Sequence, residues 1–158
     1  MFSHVDQANR PTMVDVGDKA VTERTAVARA VVIFPDEFPK GLLTDSEETF
    51  RTKKGPVLDT AIIAGVQAVK LTHHLIPFCH PILLEDCNIS TDWAEAGELT
   101  IDCSVRATHK TGVEMEALTG ALIAALTVYD MCKALSHRIR ISDVRLISKT
   151  GGKQDFRE

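Results

Sequence analysis

Several features that would assign a chain to a broad class are missing from this one. It has no long uninterrupted apolar run: its hydrophobic stretches are short and broken by charge, so no membrane span is expected. The start, "MFSHVDQANRP", lacks the basic residues and apolar block of a secretory leader, so none is expected. Positive charge is not in excess. The formal net charge is −4 and the isoelectric point about 5.9, which argues against a general nucleic-acid binder but leaves room for a local basic pocket. Four cysteines (Cys79, Cys87, Cys103 and Cys132) are scattered without a C-x-x-C pair, which indicates reduced, mostly buried thiols in a cytoplasmic protein. What remains is ordinary for one globular domain. The chain has 158 residues, 44% of them apolar and 25% charged, enough for a real core and too apolar for disorder throughout.

Periodicity orders the elements. Residues 1–12 are polar and aperiodic and are read as a loose arm, with a single domain over 13–158. "TAVARAVVIF" (25–34) is rich in β-branched residues and reads as a strand ended by Pro35. Residues 36–55 predict one or two helical turns and then a mobile basic loop at 51–55. "PVLDTAIIAGVQAVKLTHHL" (56–75) carries a helical stripe of Leu58, Ile62, Gly65, Val66 and Val69, with Pro56 suited to its first turn. Two strand candidates, 82–93 and 98–109, are joined by "AEAGE" as a hairpin; in the second, Leu99, Ile101, Cys103 and Val105 alternate with polar residues. A second helix is read over 116–135, with Leu118, Leu122, Ala125, Leu126, Tyr129 and Cys132 as its apolar face. A last strand, 138–149, slips phase near Ser142 and is followed by a glycine-containing basic tail. Strand, helix, hairpin, helix, strand is the split βαβ order of α+β, ferredoxin-like sandwiches, with an antiparallel sheet and helices packed on one face. The other face would be bare, and a second subunit commonly covers such a face.

Four groups of residues carry candidate chemistry. In "LIPFCHP" (75–81), Pro77 and Pro81 forbid continuous helix and fix the backbone around Cys79 and His80. Adjacent side chains in extended chain point apart, so these two make a poor nucleophile pair. They are also too few for a metal site unless His73 and His74 join them. The readings left are a structural loop, or a rigid loop that offers His80 to a ligand as hydrogen-bond donor or proton shuttle. In "TGVEMEALTG", Glu114 and Glu116 are either an acidic helix N-terminus or carboxylates that hold the N–H donors of a base. In "YDMCK", Asp130 and Lys133 share a helix face, as a solvated ion pair or as a couple tuned for proton transfer. Lys53, Lys54, Lys149 and Lys153 are solvated singly and together suit a polyphosphate; "TGGK" lacks the spacing of a Walker loop. Glu116 and Asp130 are separated by 14 positions, roughly 21 Å along a helix. One small reacting centre cannot touch both in the same subunit, so the ligand is long or the site is shared between chains.

Taken together, "MVDV", "IAGVQAVK", "LIPFCHP", "KTGVEMEALTGA", "YDMCKAL" and "VRLISKTGGK" resemble the MoaC family, the cyclic pyranopterin monophosphate synthases of molybdenum cofactor biosynthesis, from Met13 to about Phe156. The resemblance implies a homohexamer, a trimer of dimers, with the pocket at a subunit interface. It implies a lyase that converts 3′,8-cyclo-7,8-dihydro-GTP, handed over by a radical SAM cyclase, into cyclic pyranopterin monophosphate and pyrophosphate. It implies substrate contacts from Phe78, Cys79, His80, Glu114, Met115, Glu116 and Lys149, a phosphate contact from Arg24, and a further one from Lys153. Asp130, Lys133 and Lys54 correspond to the catalytic positions. No tightly bound cofactor and no protein-bound metal is implied; Mg²⁺ enters only as an ion the triphosphate can carry. Neither nucleic acid nor membrane is an expected partner. Two positions depart from the family pattern: Pro56 replaces the usual acidic residue after "KG", and Ile62 stands where arginine is common.

Overall fold

The computed structural model describes residues 8, 10–39, 42, 50–95 and 97–158. Most of the arm expected at 1–12, and most of the helical turns expected between 36 and 50, lie outside the described residues. The frame of the fold is set by two long strands, β1 (Thr22–Ile33) and β5 (Glu98–His109). In each, every second residue is buried: Arg24, Ala26, Ala28, Ala30 and Val32 in β1; Leu99, Ile101, Cys103, Val105 and Ala107 in β5. This is the two-residue period of a sheet covered on one face. The two strands pair antiparallel from Thr22↔His109 to Ile33↔Glu98.

A two-residue hairpin, β2 (Arg51–Thr52) and β3 (Gly55–Pro56), leads into helix α1 (Val57–Lys70), and a helical turn α2 (Thr72–Leu75) follows. Strand β4 (Asp86–Glu95) pairs with β5. Helix α3 (Glu114–Cys132) follows β5, and β6 (Arg140–Thr150) then turns into β7 (Phe156–Arg157). The sheet order is β4-β5-β1-β6-β7, antiparallel throughout, which is the ferredoxin-like α+β arrangement with the helices on one side. Between β1 and β6 the register skips Ser142 and Ile147, so the expected phase slip at Ser142 is a β-bulge and a second bulge accompanies it.

Three local readings need correction. Residues 51–55 form a tight hairpin, because Gly55 takes a φ of 119° that closes the turn at no steric cost. Pro56 is the extended residue before α1 and not part of its first turn. On α3, the large residues expected inside are outside: Leu122 and Leu126 are 41% and 49% exposed, whereas Ala117, Gly120, Ala121, Ala124 and Val128 are buried beside Ala125 and Cys132. Small residues win the inner face because α1 approaches too closely for leucine. A Cβ on Gly65 would stand 2.9 Å from the Gly120 carbonyl oxygen, and one on Gly120 would stand 2.5 Å from Val69 Cγ2.

Helix α3 is also long and apolar enough to match a bilayer span by length and composition, contrary to the sequence expectation. Its packing marks it as the central core helix, lying against α1, β1, β5 and β6. The sheet face away from the helices is polar. Arg29 grips Asp102 at two points of 2.7 Å, Arg106 reaches Glu85 at 2.8 Å, and Arg145 reaches Glu158 at 2.8 Å.

Candidate active site

One end of α3 opens on a cavity of about 720 Å³. Its wall is assembled from the segment before β1, the start of β1, the loop after α2, the turn between β5 and α3, the start of α3, the end of β6, and the turn between β6 and β7. Phe78, Cys79 and His80 enter from the loop, Glu114, Met115 and Glu116 from the helix, Arg24 from β1, Lys149 from the end of β6 and Lys153 from the last turn. All of these were expected at the site. The loop is constrained locally: the Cys79 N–H donates to the Ile76 carbonyl at 3.1 Å, and Pro77 and Pro81 each fix their own φ.

Both glutamates are helical, so they diverge, yet both face the cavity. Glu114 accepts from Lys149 Nζ at 2.8 Å. Glu116 is 4% exposed. Burial pushes its carboxyl up to about 7, partly opposed by a hydrogen bond from its own backbone N–H and reinforced by the charge of Glu114. The Cys79 thiol is also pushed up, first by burial and then by Glu116, so it is a wall and not a poised thiolate nucleophile. Among the described residues no three histidine, cysteine or acidic side chains gather as a metal site; His73 and His74 instead stack on each other at 4.2 Å.

Glu116 gives a stability prediction with a definite sign. An acid whose folded pKa is raised binds protons more tightly when folded, so stability falls as pH rises from about 4.5 to about 7. Glu116→Gln removes that slope. The variant is expected to exceed the parent at pH 8 by roughly 2–3 kcal/mol and to match it near pH 4.5. Paired urea unfolding curves at both pH values check this, and a constant offset between the two proteins rejects it.

Arg24 is buried, and its guanidinium is engaged with main chain: Nε donates to the His109 carbonyl at 3.2 Å and Nη2 to the Lys110 carbonyl at 3.5 Å. It therefore ties β1 to the turn before α3 while lining the cavity. The last turn is also braced. Gly151 has a φ of 80°, its carbonyl accepts from Thr22 Oγ1 at 2.7 Å, and its N–H donates to Asp155 Oδ1 at 3.1 Å.

Lys54, Asp130 and Lys133 do not reach this cavity. They form a second cluster at the opposite end of α3, half-exposed, where Asp130 accepts from Lys133 Nζ at 2.7 Å through Oδ1 and from Lys54 Nζ at 2.7 Å through Oδ2. The hairpin turn delivers Lys54, whose Nζ also donates to the Asp130 carbonyl at 2.9 Å. The Lys133 bond, then the Lys54 bond, hold the Asp130 carboxyl down at about 2, and Asp130 raises the Lys133 ammonium in return. The helix thus separates a cavity lined by several cations from an ion-paired cluster of Lys54, Asp130 and Lys133.

Sequence reasoning overlooked Val14, Val16, Lys19, Lys110, Thr111 and Gln154, which also line the cavity. Their signal was weak. The two valines sit in a segment too short to show a periodicity that singles them out, and the two lysines are single charges that pattern alone cannot tell from solvated surface.

Residues 13–152 match the MoaC family. The chain is 56% identical over 155 residues to the cyclic pyranopterin monophosphate synthase of Xanthomonas campestris pv. campestris (strain B100), covering 98% of this chain and 92% of that one. It is 48% identical over 159 residues to the molybdenum cofactor biosynthesis bifunctional protein of Synechocystis sp., covering 98% of this chain and 45% of that one. It is 49% identical over 158 residues to molybdenum cofactor biosynthesis protein 1 of Mus musculus, covering 98% and 24% respectively.

Proposed function

Because the chain belongs to the MoaC family, we infer that it is a cyclic pyranopterin monophosphate synthase acting in molybdenum cofactor biosynthesis. The observation that carries the reading beyond the family name is the make-up of the cavity: cations that suit a triphosphate stand around the same space as a buried carboxyl that titrates near neutrality. The substrate we propose is 3′,8-cyclo-7,8-dihydro-GTP, supplied by a radical SAM cyclase, and the reaction class is a phosphorus–oxygen lyase. The bifunctional relative supports such a pathway context. Mg²⁺ would arrive with the triphosphate. The chain's four unpaired cysteines, two half-buried and two buried, suit a cytoplasmic setting.

In this reading Arg24, Lys149 and Lys153 neutralise the phosphate tail. A sugar hydroxyl attacks the α-phosphorus, the bond from that phosphorus to the bridging oxygen breaks, pyrophosphate leaves, and the hydroxyl proton passes to a base. Glu116 orients the heterocycle. Asp130 and Lys133 carry protons during opening of the guanine-derived ring and its reclosure as the pterin. They do so on a ligand bound in the cavity of an adjoining subunit, because within one chain α3 holds them roughly 21 Å away. Lys133 starts as a locked cation on Asp130. A neighbouring cationic cavity brought against it would lower its hold on the proton and make it a usable acid. The assembly we propose is a homohexamer, a trimer of dimers.

Incubation with the cyclised GTP intermediate tests the reading. Formation of cyclic pyranopterin monophosphate with one pyrophosphate per turnover is expected. Tight binding without pyrophosphate release would instead make the chain a non-catalytic nucleotide-binding module.

A further inference from the structure

Residues 14–19 cross the cavity without belonging to a helix or strand. They form a self-contained turn: the Gly17 N–H donates to Asp15 Oδ1 at 2.8 Å, and the Lys19 N–H donates to the Val16 carbonyl at 3.1 Å. Exposure alternates along the extended part, with Met13, Asp15 and Gly17 outward and Val14 and Val16 half-buried against the cavity. Lys19, also half-buried, ends the turn inside the cavity wall. A short segment with two local hydrogen bonds has little stability of its own, so what holds it decides whether Lys19 is in place.

The hold comes from across the cavity. Lys110 Nζ donates to the Gly17 carbonyl. Lys110 is itself well placed to anchor something, because it directly follows β5 and its carbonyl accepts from the buried Arg24 guanidinium. A connected series therefore runs from the core through Arg24 to the Lys110 main chain, along the Lys110 side chain, and into the turn.

We infer that Lys110 is a positioning residue for the proposed reaction: its bond to the Gly17 carbonyl holds the 14–19 turn against the cavity and so delivers Lys19 to the phosphates of the substrate. This rests on the function proposed above, because the cargo of Lys19 is taken to be that triphosphate. Lys110 also lines the cavity, so the competing role is direct contact with the ligand, and the two roles differ in how Lys110 and Lys19 combine.

The test has two arms. In the free protein, hydrogen exchange at the Gly17 and Lys19 amides is expected to speed up in Lys110→Met and to stay near the parent rate in Lys110→Arg, which restores a donor. With substrate, Lys110→Met and Lys19→Met are each expected to raise KM about tenfold with little change in kcat, and the double variant is expected to match either single one, because both remove the same contact. Unchanged exchange in Lys110→Met overturns the inference. So does a roughly hundredfold, additive rise in KM for the double variant, which is the signature of two independent ligand contacts. The exchange arm needs no substrate, so it decides the positioning role even if the parent protein proves not to turn over the cyclised nucleotide.

Discussion

Lys133→Ala is expected to lower pyrophosphate release by about 10²–10⁴-fold, the range associated with a positioned acid or base, while the fold and the assembly stay as they are. The structural half of that expectation follows from where the residue sits. Lys133 is the C-cap of α3, half-exposed, and the contact its ammonium makes is with Asp130 at 2.7 Å. Surface pairs of this kind add little to stability, and Lys54 remains to neutralise Asp130 after the substitution. Thermal unfolding and sedimentation of the variant should therefore overlay those of the parent. Turnover close to normal would remove Lys133 from the mechanism.

A second measurement on the same variant addresses the separation along α3. Lys133→Ala damages the end of the helix that carries Asp130, whereas Lys149→Ala damages the cavity at the other end. If each site joins the cavity of one subunit to the Asp130 end of another, a mixed dimer of the two variants contains one site with both halves intact. Co-expression is then expected to recover a substantial part of the parent activity from two nearly inactive proteins. Failure to recover any activity, with mixed oligomers demonstrated by mass, would mean that both halves act within one chain and that α3 does not divide the site.

How far the sequence anticipated this arrangement differs from element to element, and the reasons are physical. Strand β1 was legible from its β-branched residues, and β5 because one of its faces is covered and the other is not, which writes a two-residue alternation into Leu99, Ile101 and Cys103. The bulge at Ser142 was legible because it interrupts that alternation, whereas Ile147 hides among half-buried neighbours where no alternation exists to break. The β2–β3 hairpin was missed because two-residue strands leave no period, and its only clue, Gly55, reads equally well as a loop residue. At the site, spacing alone established that Glu116 and Asp130 are far apart, and the family resemblance supplied the names of the cavity residues. Neither revealed that Glu116 would be buried enough to titrate near 7, since that depends on what the loop at 78–80 and the last turn place around it. The largest misreading was the inner face of α3. A hydrophobic stripe weighted by side-chain size chose Leu122 and Leu126, but burial there is limited by how closely α1 approaches, and that distance is set by the smallest residues in the stripe.

Those small residues carry the second large prediction. Gly120→Val is expected to prevent stable folding, seen as loss of soluble protein or a fall in melting temperature of about 10 °C or more. A Cβ on Gly120 would lie 2.5 Å from Val69 Cγ2 and 2.6 Å from Cys103 Sγ, so α1 on one side and β5 on the other both oppose it. Cys103 is fully buried and Val69 nearly so, and neither has free space to turn into. Gly120→Ala separates the two terms involved. Alanine improves helix propensity by about 1 kcal/mol, whereas overpacking a filled interior costs about 1–3 kcal/mol, so a modest net loss is expected for alanine and a much larger one for the bulkier, β-branched valine. The partner position sharpens the case: on Gly65 the nearest fixed obstacle is the Gly120 carbonyl oxygen at 2.9 Å, which is main chain and can yield only if the helices part. Parting them would matter beyond stability. Helix α3 carries Glu116 at its first turn and Asp130 near its last, so a shift of the helix against the sheet moves the cavity wall and the Asp130–Lys133 ion pair together. Gly120→Ala should accordingly lose turnover out of proportion to its small loss of stability. A Gly120→Val protein that melts within a degree of the parent would mean that close helix packing is not what fixes α3.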